Sequence, residues 1–86
     1  MSQFKINDEL IDRIKKLILS EDKSKVIEKL KDVHYADLAE IFELLEISEV
    51  VYIIKIFDKQ KSADALAELD EDIREGIIEN LSEKEI

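Results

Sequence analysis

The sequence predicts an all-α fold: a right-handed superhelix of short helical hairpins, about six helices with a repeat of about 24 residues. Three observations carry this. The chain has one Gly and no Pro, and it is rich in Leu, Ile, Glu, Lys and Ala, so turn formers are scarce and helix formers abundant. Its apolar residues recur at i, i+3, i+4, i+7 rather than alternating, which outranks the strand preference of the many Ile and Val residues. Third, a shift of about 24 residues lays one apolar pattern on another. It brings Ser24, Val26, Leu30 and Val33 onto Ser48, Val50, Ile54 and Phe57. Applied again, it brings Leu45, Ile53, Ile54 and Phe57 onto Leu69, Ile77, Ile78 and Leu81.

The elements follow in order. Asn7 or Asp8 can cap a helix over 9–19, with Leu10, Ile14, Leu17 and Ile18 inward. Ser20-Glu21-Asp22 breaks that pattern, and a second helix runs from Asp22 or Ser24 to Asp32 around Val26, Ile27, Leu30 and Val33. His34-Tyr35 makes the next turn. The third helix, over 36–46, sets Leu38, Ile41, Phe42 and Leu45 on one face. Ser48 is the expected cap of the fourth, whose Val50, Val51, Ile53, Ile54, Ile56 and Phe57 make an apolar surface too wide for one stripe. Such a helix needs neighbours on more than one side. Asp58-Lys59-Gln60-Lys61 then connects to Ser62, the expected cap of a short helix over 63–69. Asp70 opens a sixth helix to Leu81 that buries Ile73, Ile77, Ile78 and Leu81. Finally, Ser82-Glu83-Lys84-Glu85 carries Ser and Glu at capping-box spacing, which predicts a further helix start and so a truncated domain.

Eighty-six residues make a single small domain over 1–86. There is no Cys, hence no disulfide, thiol nucleophile or thiolate metal site. The longest wholly apolar run, Val50–Ile54, falls far short of the ~20 residues needed to span a bilayer. The acid-interrupted N-terminus does not resemble a signal peptide. A fragment that does not itself insert in a membrane is expected. The net charge of −9 is uneven. Residues 1–31 hold eight Lys and Arg against six Asp and Glu, net +2, whereas residues 32–86 hold five against sixteen, net −11. That sign repels nucleic acid and anionic lipid and favours cations or a basic protein face.

Little in the chain resembles catalytic machinery, and no enzyme is expected. His34 is the one histidine, and its place between two helices predicts a ring nitrogen hydrogen-bonded to backbone. No serine lies in a nucleophile-elbow context. Gly76 is mid-helix, where close packing against a neighbour explains it better than a phosphate loop. The carboxylates gather late in the chain. Asp64 and Glu68, four apart, share a helix face near Lys61, and Asp70, Glu71 and Asp72 begin the next helix. By themselves these acids read as a solvated face, although Mg²⁺ needs only one or two carboxylates beside its waters.

The run His34-Tyr35-Ala36-Asp37-Leu38-Ala39-Glu40 resembles the His-Pro-Ala-Asp-Ile-Ala-Glu signature of the cytosolic N-terminal domain of MgtE-type magnesium transporters. Leu44-Leu45, the stretch Val50–Phe57, and Ser62-Ala63-Asp64-Ala65-Leu66-Ala67-Glu68-Leu69-Asp70 continue the likeness, in the family's order, from about Val26 to Ile86. Tyr35 and Asp58 stand where the family usually has Pro. The resemblance implies an α-superhelical domain followed by paired CBS domains, a connecting helix and a membrane pore, on the cytoplasmic side of a homodimeric transporter. It implies a Mg²⁺ sensor, in which cations between acidic N and CBS faces keep the pore closed. Carried over by position, Asp64 matches the acid that faces the CBS domain and is the one metal-ligand candidate. Glu68, Glu71 and Asp72 would add field only, and further family acids would lie past Ile86.

Two other classes suit the same pattern. A helical-repeat protein-interaction module, flagellar-switch-like, or a signalling adaptor would use its apolar hairpin edges, with no metal role. Binding indifferent to Mg²⁺ separates them from the transporter reading.

Overall fold

The computed structural model describes residues 6–84. Among these lie six helices and no strand: α1 (Asp8–Leu19), α2 (Lys23–Leu30), α3 (Tyr35–Leu44), α4 (Ile47–Ile56), α5 (Lys59–Ala67) and α6 (Glu71–Lys84). The all-α expectation holds.

Asn7, rather than Asp8, caps α1. Its Oδ1 accepts the Leu10 N–H at 2.9 Å, and Asp8 and Glu9 place negative charge in the first turn, where the helix dipole favours it. The helix buries Ile11 and Ile14, with Leu10, Leu17 and Ile18 partly covered, so Ile11 joins the inward set predicted from spacing. At its end the Asp22 N–H donates to the Leu17 carbonyl and the Glu21 N–H to the Ile18 carbonyl, the paired bonds of a Schellman motif. That motif puts Glu21 at φ 57°, a left-handed position usually filled by Gly. An L side chain there costs roughly 1–2 kcal/mol, and Gly recovers most of it against its greater freedom when unfolded. Glu21→Gly is therefore expected to raise stability by about 0.5–1 kcal/mol. In urea unfolding the midpoint should rise at unchanged slope; an unmoved or lowered midpoint would show that the turn carries no strain.

Asp22 then caps α2 through the Lys25 N–H. The next starts differ from expectation. Ser48 lies exposed inside α4, and Glu46 stands at the cap position, its N–H donating to the Glu49 carboxylate at 2.8 Å. Ser62 does not cap α5 either. That helix starts a turn earlier, where Asp58 Oδ1 accepts the Lys61 N–H at 3.0 Å. Ser62 is buried at 2% exposure, and its hydroxyl has no hydrogen-bond partner among the described residues. Both errors have one cause: a carboxylate satisfies free N–H groups as well as a hydroxyl does, and each acid comes first after the buried Leu45 or Phe57. Nor does Ser82 open a new helix. No breaker separates it from Leu81, and α6 propagates through it to Lys84, while Glu85 lies outside the described residues.

The packing follows the repeat. The chief partners are α1 with α2, α3 with α5 and α4 with α6, while α4 also meets α1 and α2. The starts of α2 and α4 (Lys23, Ile47), α3 and α5 (Tyr35, Lys59), and α4 and α6 (Ile47, Glu71) are each 24 residues apart. Helices α5 and α6 thus lie chiefly on the helix a repeat earlier, whereas α2 packs on its chain neighbour α1. Helix α4 sits between neighbours on several sides, as its wide apolar surface requires, and buries Val50, Val51 and Ile53. A Cβ on Gly76 would stand 3.3 Å from Ile47 Cδ1, so the lone glycine marks a close approach of α6 to α4. On α6, Ile77 is buried and Ile73 and Leu81 partly so, but Ile78 is 47% exposed. It falls about 100° round the helix from Ile77, off the face that meets α4.

Candidate functional site

Three elements frame the acidic end of the molecule: α5, the turn after it and the first turn of α6. Asp64, in the middle of α5, is half-buried. Its Oδ1 accepts the Gln60 side-chain amide at 3.1 Å, a bond between residues four apart on one helix face. That spacing is readable in the sequence, and Gln60 is the partner that residue-by-residue reading overlooked. Glu68 sits at the end of α5, and Asp70, Glu71 and Asp72 are exposed around the start of α6.

Lys61, predicted to lie near these acids, is drawn away from them. Its Nζ donates to the Lys31 carbonyl at 2.6 Å and stands 5.9 Å from the centre of the Phe57 ring. Lys31 follows the last turn of α2, where the dipole favours a cation. Among the described residues the ion pairs are Lys15–Glu49, Lys16–Asp12 and Lys25–Asp22. None reaches the carboxylates of α5 and α6.

Among the described residues, no three His, Cys, Asp or Glu side chains come together closely enough to hold a metal ion. The Asp64 carboxylate, with one oxygen already accepting an amide, fits a share of a Mg²⁺ site that other groups would complete.

His34 has the structural task its position predicts. Its Nδ1 accepts the Ala36 N–H at 3.1 Å, capping α3, and its ring stacks on Tyr35 with centroids 4.4 Å apart. With Nδ1 accepting, the neutral ring carries its proton on Nε2. The lone pair a general base would use is thus engaged in the cap.

The fold and the site define a module of short stacked helices with exposed acids around the start of α6. The family model described as the MgtE intracellular N domain matches residues 33–86, well over half of the sequence, and the chain belongs to that family. The matched span starts just before α3, so α1 and α2 lie outside it. No curated protein and no solved structure matches the chain. No helix among the described residues is long and apolar enough to cross a membrane.

Proposed function

We propose that the chain is the regulatory cytosolic domain of a magnesium transporter or channel, which senses Mg²⁺ together with adjoining CBS domains of the same polypeptide and so gates transport in a homodimer. Its membership of the MgtE intracellular N domain family carries this reading. The charge distribution supports it, because residues 32–86 have a net charge of −11 and the acids of α5 and α6 form no ion pair among the described residues. Two like-charged faces associate only when counter-ions lie between them, so their separation follows cation concentration. A hydrated divalent cation supplies that bridging charge. Asp64, oriented by Gln60, contributes a carboxylate from this side, while Glu68, Glu71 and Asp72 deepen the negative potential without ligating. No catalytic step is assigned to the domain.

The test is a Mg²⁺ titration of the domain followed by backbone amide NMR, run beside Asp64→Ala with Na⁺ matching ionic strength. Shifts centred on Asp64 and lost in the variant are the expected result. Small uniform shifts, alike in both proteins, would reduce Mg²⁺ to screening of an acidic surface and remove Asp64 as a ligand.

A further inference from the structure

A groove of about 350 Å³ runs between the α3–α4 turn and α6, far from Asp64 in role and in residues. Ile47, which is 41% exposed, and the half-buried Ile73 make its accessible apolar floor, with Phe42, Leu45, Val50 and Ile77 buried beneath. Glu43 and Asp72 stand on its two sides. The flanking elements extend that charge, with exposed Glu40 and Glu46 on one side and Glu71, Glu75 and Glu79 on the other. The volume lies near the lower end of the roughly 300–1,000 Å³ of small-molecule pockets. Yet the groove has no inward polar group to orient such a ligand; its acids are at the edges. An apolar floor between acidic rims suits side chains of one kind of partner.

We propose that this groove is a docking site for an amphipathic helix whose apolar stripe is flanked by Lys or Arg. Charge complementarity selects the occupant: an acidic or neutral helix gains nothing from Glu43 and Asp72, and a second copy of this net −9 chain would be repelled. Fold selects its conformation. No strand edge exists among the described residues for an extended peptide to extend, whereas a groove between helices receives anchors spaced i, i+3, i+4. The partner's apolar anchors enter beside Ile47 and Ile73, and its cations meet Glu43 and Asp72. This site shares Asp72 with the acidic end of the molecule, but Asp64 takes no part in it.

The probe is an amphipathic Leu/Lys peptide of about four helical turns, compared with a Leu/Glu peptide of the same pattern and a Leu/Lys peptide of scrambled order. Amide NMR locates each on the intact chain. Saturable shifts confined to the α3–α4 turn and the first half of α6, seen with the amphipathic Leu/Lys peptide alone, are expected. Glu43→Lys, at an exposed position clear of the core, and Ile47→Ser, whose fold is checked by its amide dispersion because Ile47 approaches Gly76 of α6, should each weaken binding about tenfold or more, and Asp64→Ala should not. Equal binding of the scrambled peptide, shifts spread over every acidic face, or indifference to both groove substitutions would overturn the proposal. Selective loss in Asp64→Ala would overturn it too, by placing the peptide on the Mg²⁺ face.

Discussion

A chain cut to residues 33–86, the span matched by the family model, is expected not to fold by itself. The cut removes Ile11, Ile14, Val26 and Leu30, all buried in the shared core, and strips α4 of the two helices that cover one of its sides. Burying such a side chain contributes about 1.5–3 kcal/mol before chain entropy is set against it, and the part made against α4 is lost to the shortened chain. A domain this small has roughly 5–15 kcal/mol in total. The acceptor for Lys61, the Lys31 carbonyl, goes with them. Circular dichroism and amide NMR of the cut chain should show lost tertiary dispersion and no cooperative melting transition. A sharp two-state transition near that of the whole chain would mean that α1 and α2 are an appendage rather than part of the core.

The second large effect concerns Phe42. It is 1% exposed and the largest of the fully buried side chains, held in α3 beneath the groove described above. Phe42→Ala leaves a cavity as well as losing burial, and such changes cost about 3–5 kcal/mol. Leu44→Ala, two residues on in the same helix, alters a side chain that is 52% exposed and should cost less than ~1 kcal/mol. Chemical denaturation of the pair separates packing from helix propensity, because both end as Ala in α3. Comparable losses in the two variants would contradict the core assignment.

Most of the fold was legible in the sequence, for physical reasons that also explain the failures. Leu38, Ile41 and Phe42 are inward because helical spacing leaves them no other common face, and the wide surface of α4 required several neighbours and has them. The 24-residue repeat surfaced because equivalent helices bury equivalent faces. Helix starts were legible only in part. Asn7 and Asp22 do what short polar side chains do, but at Ser48 and Ser62 the hydroxyl was credited with a task that Glu46 and Asp58 perform. Burial of Ser62 depends on where α5 lies against the rest of the stack, which no local pattern records.

The candidate site was less legible. Spacing showed that Asp64 and Glu68 share a helix, but not that Lys61 would turn to another carbonyl and form no ion pair with them. The groove between the α3–α4 turn and α6 was invisible for the same reason: its two sides are some 30 residues apart, joined only by the repeat.

The offset stacking of the helices has one more consequence, for how the molecule opens. Helix α6 has α4 as its main support, while α4 is held by α1, α2 and α6 together. Loss of α6 uncovers one side of α4 and leaves α1, α2, α3 and α5 with their principal contacts. Opening is therefore expected to begin at α6, whose amides should exchange with solvent before those of α4.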